Sequence, residues 1–549
     1  MARADHGAMK YLVSVSIGPV QDFIAAARRC RDLWYGSYLL SEVSKAAAKS
    51  LRNNGAELIF PFPRTAQDLE PGEHFTVVNK LLATVDTDDP GAIVDQAEQA
   101  ARARLMEEAD EGAIRPRLRG TEVDWRPYRT QLGTILDVTG AWTPHTKHGD
   151  ARRRVEELAA GRKATRAFEY YEGKEGEPKS SLDGVRENVI IRRSPRLYQS
   201  NLKDKEWLDG IGVVKRFAEG RGRSSRFEST LDVAAIPYVR GQEDRHDGAT
   251  MRRYRQFLRD HDVSDNTYSL LYRHESRQIF DGDEAAAQEL EAIRDELKKP
   301  QPPYYAFLLG DGDRMGRAID RIDSERGHQE FSGKLSEFAG AARECIEHEK
   351  YQGCAIYCGG DDVMALLPLD RAIECACEIN RVFGDTMKGY DVTFSAGLVV
   401  AHALEPLSEV REWAAEAEKA AKDPKRGNRN ALCVAVYPRS GSAVSTWGKW
   451  GELAPLLKDL IGLYVDPKDG LSLGLAHELQ DLAERTRGWT ELHPVVSKMA
   501  AAIASNKDCD AAASLIEEQV TSWDSLERLC QVMLAARPFA RARKEAETK

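Results

Sequence analysis

The sequence contains no long apolar segment, no paired-cysteine motif and no excess of positive charge. None of its apolar runs approaches the roughly 18 residues that a membrane-spanning helix needs. The N-terminal segment, MARADHGAMK, is not followed by an apolar stretch, so we expect neither a secretory signal nor a membrane partner. The nine cysteines form no C-x-x-C pair, which indicates reduced thiols and a cytoplasmic protein.

The charge and apolar content are those of a globular protein with several domains. Lys and Arg total 78, Asp and Glu total 88, and the formal net charge is −10. A chain of 549 residues has room for roughly three to five domains of about 100–200 residues each. The acidic balance argues against a protein that coats nucleic acid over its whole surface, although a local basic patch is compatible with it.

One segment, residues 186–226, has the opposite charge, and we call it the basic segment. It contains eleven Lys and Arg and five Asp and Glu, a local net charge of 11 − 5 = +6. Such a segment is a candidate contact for RNA or DNA. A solvated, loop-rich surface is the other interpretation, and both are open at this point.

A strand–turn–helix pattern occurs twice in the chain. It begins at residues 11–16 and again at residues 304–309, directly after a proline-rich stretch that separates two domains. Each opening is typical of a ferredoxin-like unit. Only the second turn carries aspartates, Asp311 and Asp313, so we predict two related domains of which one bears carboxylates.

The strongest local signal is the segment Gly359-Gly-Asp-Asp362 between two apolar runs. Gly359 and Gly360 permit a tight hairpin. Asp361 and Asp362 at its tip cost stability unless a cation neutralises them, and hard oxygen ligands suit Mg²⁺ or Mn²⁺. A plain hairpin with solvated aspartates is the alternative. On the strand before the hairpin, Cys354 and Cys358 are predicted to share one buried face.

A second source of acids strengthens the metal interpretation. A strand that ends at Asp311 beside the hairpin tip can bring that residue against Asp361 and Asp362, as in two-metal sites with ions about 3.5–4 Å apart. This arrangement predicts phosphoryl transfer from a nucleoside triphosphate. Backbone amides at the start of the next helix can receive phosphate oxygens. The residues assigned to that nucleotide-binding turn are Gly312, Asp313, Arg314, Met315 and Gly316.

Two cations complete the predicted nucleotide site, together with Gly359 and Gly360. Lys422 and Arg429 lie in or beside a Gly/Asn-rich turn that precedes a strand at residues 431–437. Their charges are suited to a triphosphate. For Lys422, a cation that stabilises the end of a helix is an equally good interpretation.

Three further acidic motifs are interpreted as structural. Asp281-Gly-Asp283 precedes a polar helix, so we expect N-capping there. The pairs His246-Asp247 and His261-Asp262 are isolated, and we expect them at the surface.

With these motifs in place, the chain resembles the large GGDD-palm subunit of type III CRISPR effector complexes, of the Cmr type (III-B). The matching pieces occur in the order of the family. They are residues 17–24, 31–40, 311–316, 359–362, 395–397 with 401–402, and 430–432 with 439–441.

The resemblance implies an α+β fold with two ferredoxin-like palm domains of the nucleotide-cyclase type, interleaved with helical domains. We expect a degenerate first palm over residues 1–165, a basic linker and helical domain over 166–300, the GGDD palm over 301–440 and a helical C-terminal domain over 441–549. In that last domain, helices are predicted at 453–463, 473–485 and 511–534, with a frayed, charged tail at 537–549.

The resemblance also implies an activity and partners. The activity is RNA-activated synthesis of a cyclic oligoadenylate, or a related messenger, from ATP, with Asp311, Asp361 and Asp362 as ligands of two Mg²⁺ or Mn²⁺ ions. The partners are other type III-B subunits, guide crRNA and target RNA. Alternatives are a non-catalytic RNA-binding scaffold, a free-standing cyclase, and adenylylation of a different small acceptor.

The sequence departs from the family pattern in two places. The first palm strand starts near residue 10, which leaves no room for an N-terminal HD nuclease domain, so we expect no DNA cleavage. A four-cysteine zinc site is common in relatives, but Ser180, Asp183, Asp209 and Gly212 stand where its cysteines would be. We therefore expect no bound zinc.

Overall fold

The computed structural model describes residues 9–547 apart from thirteen internal segments. These are 166–172, 174, 194–201, 203–204, 222–228, 244–247, 273–282, 298–299, 301, 467–470, 473, 488–492 and 506–509. The pair His246-Asp247 and the first two residues of Asp281-Gly-Asp283 lie outside the described residues. Asp283 caps a helix, as predicted, because its side chain accepts a hydrogen bond from the Ala286 amide at 3.2 Å.

Twelve strands occur in the described part of the chain. They are β1 (Lys10–Gly18), β2 (Glu57–Phe60), β3 (Lys80–Asp86), β4 (Glu122–Val123), β5 (Asp137–Pro144), β6 (Ile190–Arg192), β7 (Tyr304–Asp313), β8 (Cys354–Gly359), β9 (Asp362–Leu367), β10 (Thr393–His402), β11 (Ala431–Val436) and β12 (Val444–Lys449).

The described α-helices alternate with these strands and then follow them without interruption. They are α1 (Gln21–Ala25), α2 (Cys30–Asn53), α3 (Pro90–Glu108), α4 (Glu111–Ile114), α5 (Trp125–Gly133), α6 (His148–Ala164), α7 (Gly210–Phe217), α8 (Thr230–Ala234), α9 (Ile236–Glu243), α10 (Ala249–Asp260), α11 (Glu284–Glu296), α12 (Met315–Asp320), α13 (Glu325–Glu347), α14 (Ala372–Thr386), α15 (Leu407–Lys422), α16 (Trp450–Val465), α17 (Leu475–Arg485), α18 (His493–Ser505), α19 (Asp510–Gln519) and α20 (Trp523–Ala546). None of them combines the length and the apolar character that a bilayer crossing would need.

The first sheet has the order β2-β3-β1-β5, and all of its pairs are antiparallel. Strand β1 alternates along its length, since Val13, Val15 and Ile17 belong to one core and Leu12 to another. Because successive side chains point to opposite faces of the sheet, one face packs against α2 and α3 and the other against α6. The N-terminal region, which was expected to be a palm domain, thus forms an antiparallel sheet with helices on both faces.

The second sheet has the order β12-β11-β10-β7-β9-β8. Its central strands β7, β9 and β10 pair antiparallel, and β10 pairs parallel with β11. One face shares a core with α15 and the first palm, and the other is covered by α13, α14 and the C-terminal helices. The sheet continues to Lys449, past the predicted boundary at residue 440, because β12 pairs with β11.

The C-terminal helices differ from the prediction at their end. Residues 511–534 are not one helix but two, α19 and α20. The expectation that residues 537–549 are frayed is wrong, since α20 continues to Ala546. Phe539 and Ala540 are buried there against the second palm, and this packing orders a segment whose composition is charged.

The two cysteines before the hairpin do not share a face. A β-bulge between Ala355 and Tyr357 shifts the register of β8 against β9. Both thiols are buried, as expected, but Cys354 lies in the core shared with the first palm and Cys358 in the opposite core. The prediction of one shared face is wrong because a bulge adds a residue and reverses the alternation.

Part of the basic segment is buried rather than presented at the surface. Lys215 and Arg216 are 0% and 1% exposed. Arg216 donates hydrogen bonds to Asp32 at 2.7 and 2.8 Å, and Lys215 donates to the Ala26 carbonyl at 2.9 Å. Burial lowers the pKa of Lys215 to about 8. These two cations therefore hold the segment against the first palm and are not available to RNA.

Polar contacts occupy the four positions at which the family resemblance leads one to expect zinc-binding cysteines. The Ser180 hydroxyl donates to Asp209 Oδ1 at 2.9 Å, and the same oxygen accepts the Gly212 amide at 3.1 Å as an N-cap of α7. Asp183 accepts the Val185 amide at 2.9 Å. Each of these groups has a structural partner within the protein.

Candidate active site

The segment Gly359-Gly-Asp-Asp362 forms the predicted hairpin between β8 and β9. Gly359 pairs with Asp362, and Gly360 has φ +63°, a left-handed conformation that favours glycine. Strand β9 also pairs with β7, with Val363 opposite Gly310. The hairpin tip and the end of β7 therefore lie side by side.

Asp311 on β7 lies close to both acids of the hairpin. A Cβ at position 312 would come within 2.8 Å of Asp361 Oδ2, so only glycine at 312 lets that carboxylate approach the strand. Desolvation, followed by repulsion from Asp311, raises the pKa of both Asp361 and Asp362. The sheet thus brings the three predicted acids into one cluster, which we call the acid cluster.

Lys422 supplies the positive charge of this cluster. It is the last residue of α15, and its ammonium contacts Asp311 and, at 2.6 Å, Glu418. Burial opposes its charge, but the carboxylates outweigh that effect and raise the pKa of Lys422. Within the described residues, neither Asp361 nor Asp362 forms an ion pair of its own.

The chemistry of the acid cluster fits a hard divalent cation. Its donors are carboxylate oxygens, the ligands that Mg²⁺ and Mn²⁺ prefer. In the described part of the chain, no group of three or more His, Cys, Asp or Glu stands in the arrangement of a preformed metal site. A metal here would have to compete with Lys422 for Asp311.

Asp313 does not face the acid cluster, although the sequence assigned it to the nucleotide. It is 1% exposed and accepts hydrogen bonds from the Thr393 and Ser395 hydroxyls at 2.7 and 2.8 Å. It also accepts the Asn430 amide at 2.9 Å. Asp313 therefore fastens β7 to β10 and to the turn before β11, and acts as a positioning residue.

Sequence reasoning missed how the motif at residues 395–397 serves the site. Ser395 binds Asp313, as described above. A Cβ at Gly397 would lie 2.7 Å from the Ala414 carbonyl, so glycine allows α15 to approach β10 closely. This close approach places the end of α15, with Lys422, over the end of β7. The small residues of this motif are visible in the sequence. Their role could not be predicted from it, because that role depends on which helix packs against β10.

The turn before β11 has an unusual backbone. Asn428, Arg429 and Asn430 have φ values of 51°, 61° and 44° in succession. The Asn428 and Arg429 carbonyls accept hydrogen bonds from Lys449 Nζ at 2.8 and 2.7 Å. Within the described residues the Arg429 side chain forms no ion pair. Its backbone amide donates a hydrogen bond at 3.0 Å to the carbonyl of Ala421, the residue before Lys422.

The predicted phosphate-binding turn is less regular than expected. Helix α12 has only six residues, so its dipole is weak. Arg314 has φ +64° and lies 3.7 Å from Asp391, while Met315 packs toward the core. A Cβ at Gly316 would meet no other atom within 4 Å, so this position is open.

The first palm lies against the hairpin. A Cβ at Gly360 would lie 3.8 Å from Cγ1 of Val78, in the connection between β2 and β3. The Phe62 amide in the same connection donates to Ser332 Oγ on α13 at 2.9 Å. The two palms are therefore in direct contact around the acid cluster.

Two sequence models of one family match the two palms in order. The model described as "Cas10/Cmr2, second palm domain" matches residues 304–433, and "CRISPR-associated protein Cmr2, N-terminal" matches residues 12–118. The CRISPR system Cmr subunit Cmr2 of Pyrococcus furiosus is 24% identical, over 78% of this chain and 62% of that protein.

Solved structures share the fold at low sequence identity. The type III-B Cmr-beta complex in its apo state matches with a TM-score of 0.63 at 12% identity, over 92% of this chain and 78% of that chain. The same kind of complex bound to cognate target RNA matches with a TM-score of 0.59 at 12% identity and the same coverage. Csm1 of T. onnurineus matches with a TM-score of 0.51 at 14% identity, over 96% and 70%.

Fold and site together define a protein with two facing palm domains, of which the second carries a carboxylate cluster. Both family models and the Cmr2 relative support a large subunit of the Cmr type, as the sequence motifs indicated. It spans about 62% of the length of the curated relative it matches.

Proposed function

We propose that this chain joins or cyclises ATP-derived nucleotides at the acid cluster. The observation that carries the proposal is the convergence of Asp311, Asp361 and Asp362 where the second palm faces the first. In the reaction, a ribose hydroxyl oxygen forms a bond to the α-phosphorus of an ATP molecule. The bond from that phosphorus to the bridging oxygen breaks, pyrophosphate leaves, and the hydroxyl proton passes to solvent or a nearby base.

Asp311, Asp361 and Asp362 would hold two Mg²⁺ or Mn²⁺ ions, which supply activation of the hydroxyl and charge stabilisation at the phosphates. Lys422 and Arg429 place positive charge beside the triphosphate. Asp313 holds the turn that carries Arg429, through the Asn430 amide at 2.9 Å. Contact between the two palms restricts the space in which two nucleotides meet, which favours reaction by proximity.

We propose that the chain works as a subunit of a type III-B effector complex with guide crRNA and target RNA. The name of the curated relative and the likeness to Cmr-beta bound to target RNA support this. Exposed cations of the basic segment support an RNA contact, for example Lys205, whose side chain is exposed. The absence of HD nuclease activity stays a prediction, which incubation with single-stranded DNA would test.

The test is product formation from ATP by the complex with target RNA and a divalent ion, analysed by mass spectrometry. Asp361→Ala with Asp362→Ala should abolish the product and leave RNA binding nearly unchanged, because the pair lies at the tip of a hairpin and belongs to neither hydrophobic core. Asp385→Ala, an exposed acid on α14, is the matched control. Product at the wild-type rate from the double variant would refute the site. No product from the wild type would favour an RNA-binding scaffold.

A further inference from the structure

Lys422 occupies the place in the acid cluster where a cation is needed. Its ammonium contacts Asp311 and Glu418, and its side chain is 23% exposed. The close approach of α15 to β10, which Gly397 permits, brings it there. In the described part of the chain, the ion pairs of Asp311 and Glu418 are both made by Lys422.

The position of Lys422 conflicts with metal binding at Asp311. A carboxylate oxygen that accepts an ammonium is not free to ligate a divalent ion, and two cations a few ångströms apart repel each other. The ammonium must therefore leave Asp311 before an ion can bind with full strength. The ammonium of Lys422 lies at the end of a long, flexible side chain, so it can move to another anion without movement of the helix.

We propose that Lys422 is the resident counter-ion of the acid cluster, which the divalent ion displaces and which then binds the incoming triphosphate. This inference rests on the proposed function. It makes metal binding depend on nucleotide: the ion alone must compete with Lys422, whereas the ion–nucleotide complex offers Lys422 a new anionic partner. A purely structural role for Lys422 at the end of α15 predicts no such dependence.

The test measures Mn²⁺ binding directly, by electron paramagnetic resonance titration of the full chain. Wild-type protein should bind Mn²⁺ weakly alone and at least about tenfold more tightly with a non-hydrolysable ATP analogue. Lys422→Met should bind Mn²⁺ about tenfold more tightly than wild type without nucleotide, and should lose most of the gain that the analogue gives. Lys419→Met, an exposed cation on the same turn of α15, should behave as wild type.

Equal Mn²⁺ affinity in Lys422→Met and wild type without nucleotide would overturn the inference while leaving the proposed function intact. Mn²⁺ binding that survives Asp361→Ala with Asp362→Ala would overturn both, because the ion would then lie elsewhere. Thermal unfolding gives an independent readout: Mn²⁺ should raise the midpoint of Lys422→Met more than that of wild type. If Lys422→Met does not fold, Lys422→Gln keeps a polar side chain and takes its place in both measurements.

Discussion

Arg216 is a buried residue that connects the basic segment to helix α2 of the first palm. Its guanidinium is fully buried and bridges Asp32 on α2 with Glu206, at 2.7 and 2.9 Å. Arg31, from the same motif as Asp32, donates to the Arg216 carbonyl at 3.0 Å. The motif at residues 31–40 thus binds the basic segment through Arg31 and Asp32, and its role here is structural.

Removal of this guanidinium should be strongly destabilising. Arg216→Met removes the buried cation that pairs with both Asp32 and Glu206, and breaking a buried pair in this way costs about 3–5 kcal/mol. We expect a clear fall in the thermal unfolding midpoint. Arg102→Met removes a partly exposed pair on α3 and should change the midpoint much less. Equal effects of the two variants would contradict the assignment.

The residues at the four positions where the family resemblance implies zinc-binding cysteines predict a protein without structural zinc. Ser180 and Asp209 are bonded to each other, and no thiolate stands near them in the sequence to complete a zinc site. Elemental analysis of purified protein should find no stoichiometric zinc. One tightly held zinc per chain would contradict this and direct attention to the cysteines around β8 and α14.

At the scale of elements, α13 and the first palm meet through three histidines. His145 Nε2 lies 3.4 Å from His148 Nδ1, and His148 Nε2 lies 3.3 Å from His328 Nδ1 on α13. Glu325 on the same helix accepts hydrogen bonds from Lys10 at 3.0 Å and from Thr84 at 2.6 Å. The interface between the palms is therefore sensitive to protonation.

Acid should weaken this interface. Burial, with repulsion from His148 and Arg152, lowers the pKa of His328 to about 4, whereas the unfolded value is near 6.5. The unfolded chain then binds the proton first, so stability is lost as pH falls from about 6.5 toward 4, by up to about 1.4 kcal/mol per pH unit. His328→Gln should reduce the fall in melting temperature between about pH 7 and 5.

The control for this prediction is His348→Gln, an exposed histidine just beyond the end of α13. It should leave the acid loss of melting temperature as in wild type. An identical pH profile for His328→Gln and wild type would show that other groups dominate acid unfolding.

At the scale of the whole molecule, the palms and the C-terminal helices surround one site. Lys449, at the junction of β12 and α16, holds the turn that carries Arg429, so the helical domain is connected to the acid cluster. We therefore propose that a partner bound to the C-terminal helices can shift the turn that carries Arg429.

This connection predicts control by RNA. Misplacement of reacting groups by about 1 Å can cost on the order of 100-fold in rate. The isolated chain should convert ATP slowly, and the complex bound to matched target RNA should be faster by roughly tenfold or more. Product formation by the chain alone, the guide-loaded complex and the target-bound complex checks this. Equal rates in all three would favour a free-standing cyclase.

The sequence by itself located the palm strands and proposed the residues of the candidate site. Alternating and helical apolar patterns located the palm strands, and the two glycines before Asp361 located the hairpin, because these signals depend on neighbouring residues alone. Its ordered motifs identified the family. The zinc-free middle region and the metal ligands are predictions from the same source.

Tertiary structure decided what those residues contact. Asp311 and Asp313 are two positions apart on one strand, yet one meets Lys422 and the other is buried against Ser395. Arg216 belongs to a basic segment but is enclosed, and α20 remains helical at its charged end because the second palm covers it. Such outcomes depend on which distant surface covers a residue, and no local pattern of polarity contains that information.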